Sequence, residues 1–218
     1  AGEIQAIAES TTRHGKLLRV QTRPIHNRVL VEFVYDTAEA AGQNMVTIAT
    51  DAACRWIMEQ CGSRKPVRYL LESNFSGDKN PTQRTMTEGR GHHVICSFSV
   101  PDRLLRRLLR VSVDDIVCRI TDKQLGSQMA GVFGLNLHVS NALAASYLAL
   151  GQDVACVAEN CVGTTTYEKQ GDNLYATLSM PSITVGTVGG ATRLKQQRRN
   201  LELLECTGEK SSRKLAEI

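Results

Sequence analysis

The chain has 218 residues, of which 42% are hydrophobic, 22% charged and 5% aromatic. This composition is typical of a globular protein and excludes a long disordered chain or a collagen-like repeat. Lysine and arginine number 26 against 22 aspartate and glutamate, and the resulting net charge of +4 suits a small anionic ligand at least as well as a polyanion.

The spacing of apolar residues predicts a chain that mixes helices and strands. In chain order it predicts a helix over 3–18, a strand over 28–35, a helix over 44–61, a strand over 66–71, a strand over 93–100, a helix from Pro101, an apolar helix within 131–155, a strand over 173–179 and a basic helical stretch over 194–218. The polar stretch 72–81 (ESNFSGDKNP) is predicted to be a loop and a boundary between two parts of the chain. The fold class is therefore α+β or α/β.

No apolar run approaches the roughly 20 residues that a membrane-spanning helix needs. The first residues, AGEIQAIAES, lack the basic start and long apolar stretch of a signal peptide. The seven cysteines follow neither a disulfide framework nor a zinc-ligand spacing. We therefore expect reduced thiols, no metal site and no membrane segment, in a cytoplasmic protein or a cytosol-facing catalytic domain of a longer one.

Three polar clusters are candidates for chemistry. They are Asp78-Lys79-Asn80 with EGRG at 88–91, Gly151-Gln152-Asp153, and PSITVGTVGGAT at 181–192. A lysine and an aspartate on rigid loops can form a pair that stays charged in a partly buried cleft, and the ammonium can stabilise a developing oxyanion. Each cluster taken alone is also typical of a surface turn, and Gly189-Gly190 matches neither GxGxxG nor the P-loop.

The helix that begins at Pro101 carries a row of arginines. They stand at 103, 106, 107 and 110. Such a row is typical of a solvated helix face, and the alternative is a surface that binds nucleic acid or another anion. The sequence argues against nucleic acid, because aromatic stacking residues are few and no recognised module is present.

Taken in order, these segments resemble the catalytic domain of the hydroxymethylglutaryl-coenzyme A reductase family, in the class found in eukaryotes and many archaea. STTR at 10–13 is similar to the family's SxSR, EAAGQNM at 39–45 to its cofactor loop DAMGMNM, DKNP at 78–81 to DKKP, and NLHVSN at 136–141 to NAHAAN. EGRG at 88–91, GSQMAG at 126–131, GQD at 151–153 and MPSITVGTVGGAT at 180–192 complete the series.

The chain also departs from the family pattern. Glu39 stands where the cofactor loop has aspartate, Ala41 and Gln43 replace methionines, and Asn80 replaces the second lysine of DKK. The family takes a catalytic Glu from upstream of the matching segments and a catalytic His from downstream of them. The resemblance therefore covers the middle of the domain only, and no residue here is assigned to those two roles.

The resemblance implies an α+β fold with two domains. A ferredoxin-like small dinucleotide-binding domain, N-terminally incomplete, would occupy residues 1–70. A larger mixed α/β domain for the substrate and coenzyme A, C-terminally incomplete, would occupy residues 71–218. Because the family's active site is shared between subunits, a homodimer or higher homo-oligomer is implied.

The resemblance also implies a reaction, the NADPH-dependent reduction of a 3-hydroxy-3-methylglutaryl-CoA-like thioester to mevalonate and free coenzyme A. Lys79 and Asp153 would be catalytic, and the substrate would be bound by Asp78, Asn80, Lys123 and Asn141. The cofactor would be bound by Thr12, Arg13, Glu39, Ala41, Gly42, Gln43, Asn44, Met45 and Val188. NADPH is favoured over NADH because Arg13 is retained and can accommodate a 2′-phosphate. The alternative is a catalytically incomplete homologue or fragment that acts as a binding or assembly module.

Overall fold

The computed structural model describes residues 2–136 and 139–218, and the chain divides into two compact units, residues 1–75 and 76–218. The division after Phe75 lies within the polar stretch 72–81 that was predicted to be a boundary. The Arg23 guanidinium carbon lies 5.4 Å from the centroid of the Phe75 ring. This cation–π contact attaches Phe75, the last residue of the first unit, to the rest of that unit. Both units combine helices with a small antiparallel sheet, so the fold is mixed α and β.

The first unit contains two helices and a two-stranded sheet. Its elements are α1 (Gly2–Ser10), β1 (Lys16–Ile25), β2 (Arg28–Asp36) and α2 (Gln43–Gln60). The strands pair antiparallel from Lys16 opposite Asp36 to Ile25 opposite Arg28. The buried core residues are Ala8, Leu17, Ala49 and Ala53. Alanines dominate this core, and their small side chains let α1 and α2 pack closely.

Two predictions for this unit are confirmed and two are wrong. The strand predicted over 28–35 is β2 and the helix predicted over 44–61 is α2. The helix predicted over 3–18 ends at Ser10, because the backbone from Lys16 onward pairs with β2. The strand predicted over 66–71 does not form in the described part of the chain, where Val67 is 100% exposed and this stretch pairs with neither strand of the hairpin.

The second unit contains a three-stranded antiparallel sheet surrounded by helices. Its elements are α3 (Gln83–Thr87), β3 (His92–Pro101), α4 (Asp102–Leu109), α5 (Val113–Met129), α6 (Val139–Leu150), α7 (Val157–Asn160), β4 (Thr164–Gln170), β5 (Asn173–Ile183), α8 (Lys195–Leu203) and α9 (Ser211–Glu217). The strand order is β3–β5–β4. The central strand β5 supplies buried side chains to both core clusters of this unit.

The strands predicted over 93–100 and 173–179 and the helices predicted after Pro101 and within 131–155 are confirmed as β3, β5, α4 and α6. The C-terminal stretch forms two helices, α8 and α9, and not one. Helix α5 and strand β4 were not predicted, and the β4 sequence TTTYEKQ shows why, since its apolar content is too low to indicate a strand. The arginines of α4 are exposed, as expected of a solvated face.

No helix in the described ranges is long and apolar enough to cross a membrane. None of the seven cysteines forms a disulfide within the described residues.

Leu201 on α8 anchors the larger core of the second unit and is fully buried, whereas Leu203 on the same helix is 72% exposed. We predict that Leu201→Ala lowers the free energy of unfolding by about 2–5 kcal/mol, because it leaves a cavity in a packed core. Leu203→Ala is the matched control and should change it by less than about 0.5 kcal/mol. Urea denaturation followed by circular dichroism measures both, and equal effects of the two substitutions would contradict this packing.

Candidate functional site

Lys79 lies in a tight turn that fixes its backbone. The N–H of Asn80 donates to the carbonyl of Gly77 at 3.0 Å and closes the turn. Lys79 itself has φ of +59°, in the left-handed region that residues with a Cβ rarely adopt. Just beyond the turn, the side chain of Thr82 accepts from the N–H of Thr85 at 3.0 Å and caps α3. The lysine is thus presented from a well-defined loop.

Asp153 lies just after α6, on the GQD segment. The side chain of Gln152 is buried and donates to the carbonyls of Leu150 and Gly186, both at 2.9 Å, and accepts from the N–H of Gly186 at 2.8 Å. Asp153 Oδ1 accepts from the N–H of Ala155 at 3.0 Å and caps the short helical turn that follows. One carboxylate oxygen is therefore used to fix the backbone, and the other is available.

The second oxygen of Asp153 meets Lys79. The distance from Lys79 Nζ to Asp153 Oδ2 is 3.0 Å, and the two side chains are 41% and 35% exposed. The hydrogen bond from Lys79 to Asp153 raises the pKa of the ammonium, and the charge of Asp153 adds to the effect. The pair is half-buried and keeps Lys79 charged while leaving it accessible, as an electrostatic catalyst requires.

Beneath this pair lies a second, more buried ion pair formed by Glu159 and Arg90. The Glu159 side chain is 1% exposed. Its Oε1 accepts from Arg90 Nη2 at 2.8 Å and from Arg90 Nε at 3.0 Å. Its Oε2 accepts from the backbone N–H of Lys79 at 3.0 Å. Arg90 Nη2 also donates to Asp78, so Arg90 links the lysine turn to α7.

Asn160 connects the same region to α6 and to the glycine-rich segment. Its side-chain oxygen accepts from the Tyr147 hydroxyl at 2.5 Å and from Thr184 Oγ1 at 2.8 Å, and its amide donates to the carbonyl of Ser182. The Ser182 hydroxyl in turn accepts from the N–H of Arg90 at 2.9 Å. Burial raises the pKa of Tyr147, which therefore serves as a hydrogen-bond donor. The three polar clusters singled out in the sequence converge here.

The residues predicted to bind substrate are placed as follows. Asp78 pairs with Arg90, and Asn80 Nδ2 donates to the Asp78 carbonyl at 2.7 Å. Lys123, on α5, donates to the carbonyl of Asn136 at 2.5 Å. Asn141, on α6, is exposed, and within the described ranges it makes no hydrogen bond to Lys79 or Asp153. Leu137 and His138 of the NLHVSN motif lie outside the described residues.

One group of potential metal ligands occurs at this site. Oxygen or sulfur atoms of Asp78, Cys156 and Glu159 lie within 4.8 Å of one another. Both carboxylates already contact the guanidinium of Arg90. Since a bound arginine supplies the positive charge that a metal ion would bring, the geometry favours an ion-pair network here.

The residues predicted to bind the cofactor lie mostly in the first unit, where the STTR segment meets the EAAGQNM loop. Thr12 Oγ1 donates to Met45 Sδ at 2.8 Å and accepts from the N–H of Gly15 at 3.1 Å. Gly42 precedes α2 with φ of +76°, and a Cβ there would lie 2.4 Å from Thr37 Cγ2, so the position requires glycine. The side chain of Arg13 is exposed.

All but one of the other predicted cofactor residues lie in the chain segment that leads into α2. Glu39 and Ala41 lie in the loop before Gly42, and Gln43, Asn44 and Met45 form the first turn of α2. Val188 belongs to the second unit, where it is 51% exposed in the glycine-rich segment.

Sequence reasoning assigned no role to Arg90, Glu159 or Asn160. Arg90 was visible as part of EGRG. The signal for the other two was the pair Glu159-Asn160 within the apolar run VACVAENCVG at 154–163, since adjacent polar residues in such a run are buried only with partners.

The model of the hydroxymethylglutaryl-coenzyme A reductase family matches residues 1–218. The chain is 36% identical to 3-hydroxy-3-methylglutaryl-coenzyme A reductase of Methanocaldococcus jannaschii over 99% of this chain and 54% of that one. It is 38% identical to the Haloferax volcanii reductase over 94% of this chain and 50% of that one. It is 34% identical to reductase 1 of Candida albicans over 94% of this chain and 20% of that one.

The chain spans about half the length of its archaeal relatives. Among solved structures, its fold is similar to the class II reductase from Streptococcus pneumoniae, a structure bound to NADPH. The TM-score is 0.60 at 19% identity, covering 99% of this chain and 59% of that one. At this identity the likeness concerns the fold.

We predict that Asp153→Asn lowers the pKa of Lys79, because the substitution removes the carboxylate that accepts the hydrogen bond and carries the opposing charge. The pH dependence of the Lys79 side-chain NMR signal measures this. Asp114→Asn is the matched control, because Asp114 pairs with Lys169 at 2.7 Å in an exposed ion pair. It should lower the pKa of Lys169 and leave Lys79 unchanged. An unaltered Lys79 titration in Asp153→Asn would contradict the assignment.

Proposed function

The chain belongs to the hydroxymethylglutaryl-coenzyme A reductase family, and we propose that the protein reduces a 3-hydroxy-3-methylglutaryl-CoA-like thioester to mevalonate and free coenzyme A. The observation that carries this proposal is the half-buried pair of Lys79 and Asp153, with Nζ and Oδ2 separated by 3.0 Å. Two hydrides and two protons are consumed as the thioester carbonyl becomes a primary alcohol and the sulfur leaves as a thiol.

Lys79 would stabilise the negative charge that develops on the thioester oxygen when a hydride reaches the carbonyl carbon. An ammonium fixed in advance beside that oxygen acts mainly in the transition state, and this is where stabilisation increases the rate. The fixed turn and the accessible side chain of Lys79 support this role.

Asp153 would keep Lys79 protonated and would orient its ammonium toward the thioester oxygen. Its carboxylate raises the pKa of Lys79, and its own backbone is fixed by the cap to Ala155. Asp78 and Asn80, on the same turn as Lys79, would contact the acyl portion of the substrate. Lys123 would anchor an anionic group of the substrate.

The first unit has the features of a site for a dinucleotide phosphate. The N-terminus of the 18-residue helix α2 follows Gly42, and a helix N-terminus presents unpaired N–H groups and positive potential to an anion. Arg13 is exposed and directly follows Thr12 in the chain. Thr12 in turn contacts Met45 in the first turn of that helix. These residues fit a phosphorylated nicotinamide cofactor, NADPH, which supplies the hydride when bound.

In this proposal Thr12, Arg13, Gly42, Asn44 and Met45 hold the dinucleotide, with Glu39, Ala41 and Gln43 completing the loop and Val188 contributing beside the nicotinamide. Arg13 would form a charge-assisted contact with the 2′-phosphate, which is stronger than a neutral hydrogen bond.

We extend the proposal to the architecture of the complete protein. The first unit has the order helix, strand, strand, helix, which is the central part of a ferredoxin-like βαββαβ fold. The active site would be shared between the subunits of a homodimer or higher homo-oligomer.

We predict that Lys79→Met in the complete protein lowers turnover of the acyl-CoA thioester by at least about 10²–10³-fold, because one preformed oxyanion partner is lost. Cofactor oxidation followed at 340 nm measures it. The thermal midpoint should stay near that of the wild type, since Lys79 is half exposed. Lys169→Met, which removes an exposed lysine of the same unit, is the control and should keep full turnover. Retention of more than about a tenth of wild-type turnover by Lys79→Met would overturn the catalytic role of Lys79.

The same assay tests the alternative function. A wild-type protein that binds coenzyme A but reduces no thioester would favour a binding or assembly module over an enzyme.

We predict that Arg13→Ala weakens binding of NADPH more than binding of NADH, because only NADPH carries the 2′-phosphate. The loss for NADPH should be about 10-fold or more, as expected for a charge-assisted contact. Fluorescence titration of both reduced cofactors measures it, with Arg28→Ala on the β-hairpin as the control. Equal weakening of both cofactors would argue against the 2′-phosphate contact and make Glu39 the residue to examine for selectivity.

A further inference from the structure

Glu159 is the most buried carboxylate at the site, and its contacts extend to the backbone of Lys79. A charge that is 1% exposed is costly unless every oxygen is paired. Here the carboxylate is met by the Arg90 guanidinium, by the Thr184 hydroxyl at 3.2 Å and by the N–H of Lys79 at 3.0 Å. A carboxylate that served only to neutralise Arg90 would need no contact with the lysine turn.

The Lys79 backbone needs such a contact. Its φ of +59° lies in the left-handed region, where a side chain with a Cβ is strained. A strained residue persists when surrounding interactions determine its conformation, and such residues cluster at functional sites. Within the loop, the Asn80 N–H donates to the Gly77 carbonyl and closes the turn, and the Lys79 N–H donates outside the loop to Glu159. The second of these hydrogen bonds attaches the turn to the body of the unit.

Glu159 and Asp153 belong to one short segment that carries the capped helical turn and α7. Asp153 contacts the Nζ of Lys79, and Glu159 contacts its backbone nitrogen. The lysine is therefore held at both ends by the same piece of backbone. Arg90 extends the arrangement by joining Glu159 to Asp78 on the turn.

We propose that Glu159 is a positioning residue for the reductase: its buried carboxylate holds the Lys79 backbone, and through Arg90 the Asp78 side chain, in the geometry that aims the ammonium at the thioester oxygen. This inference rests on the proposed function of Lys79. Glu159 touches neither the substrate nor the cofactor in this scheme, and it acts through the turn.

The test is Glu159→Gln in the complete protein. An amide keeps one acceptor oxygen and replaces the other with a donor nitrogen, so either the Lys79 N–H or Arg90 Nη2 loses its acceptor, and the negative charge beside Arg90 is removed. We expect kcat to fall by about 10–100-fold, because misplacing a reacting group by about 1 Å can cost about 100-fold in rate. KM for the cofactor should stay unchanged. Glu202→Gln is the matched control, because Glu202 pairs with Arg198 in an exposed helical ion pair of the same unit, and it should leave kcat unchanged.

Loss of a buried charge can prevent folding. The Glu159→Gln experiment is therefore paired with a second variant and with a measurement on the wild-type protein. Glu159→Asp keeps the charge beside Arg90 but retracts the carboxylate by one methylene from the Lys79 N–H, so we expect a folded protein whose kcat is still reduced at least about 10-fold. In the unmodified protein, amide hydrogen exchange should be much slower at Lys79 than at Gly171, in the exposed β4–β5 turn. Glu159→Gln or Glu159→Asp should increase the Lys79 rate.

Wild-type kcat in a folded Glu159→Gln or Glu159→Asp protein would overturn the positioning role, and so would fast exchange at the Lys79 amide of the wild type. Lys79→Met separates the two proposals. If Lys79→Met is inactive while the Glu159 variants turn over normally, only the positioning role fails. If Lys79→Met remains active, the proposed function of Lys79 fails first, and the role of Glu159 fails with it.

Discussion

A carboxylate sealed from water against a guanidinium is the constraint on which the candidate site depends. The Glu159 side chain is 1% exposed, and burial of a carboxylate is costly unless its oxygens are hydrogen-bonded, as they are here to Arg90. Further hydrogen bonds reach the pair from the lysine turn and from the glycine-rich segment, while Glu159 itself lies on α7. The pair therefore specifies how the lysine turn, the glycine-rich segment and α7 fit together, and a packing of apolar residues would not fix their mutual geometry as narrowly.

The site is layered by burial. Glu159 and Asn160 are closed off from solvent and are tied to Tyr147 and Thr184, so they form a rigid base. Lys79 and Asp153 lie above it with about a third or more of each side chain exposed. Groups that must meet a substrate need access, whereas groups that set their direction gain from burial, where each hydrogen bond is stronger. Glu159 and Asn160 lie outside the motifs that first indicate the chemistry, whereas most of their hydrogen-bond partners lie within them.

The sequence was informative where a local pattern determines the structure. Strand β2 and helix α2 follow from their periodicity, and the ordered polar motifs led to Lys79 and Asp153. The sequence was uninformative where a partner distant in the chain determines the local structure. Residues 16–18 form a strand because β2 lies beside them, and residues 66–71 remain irregular because no described strand pairs with them. Glu159 was missed for the same reason, since its partner Arg90 is 69 residues away.

The double hold on Lys79 also limits how this stretch of the gene can change. Asp153 and Glu159 must both reach the same lysine, and the residues between them form a helical turn followed by α7. Insertion or deletion of one residue there would rotate the position of Glu159 by about 100° around the helix axis. Its carboxylate would then no longer face Arg90. Evolutionary change between Asp153 and Glu159 is thus confined to amino-acid substitutions that keep the length of the segment. In an alignment of related chains, a gap between these two acids would therefore mark a lineage in which the lysine is held by other means.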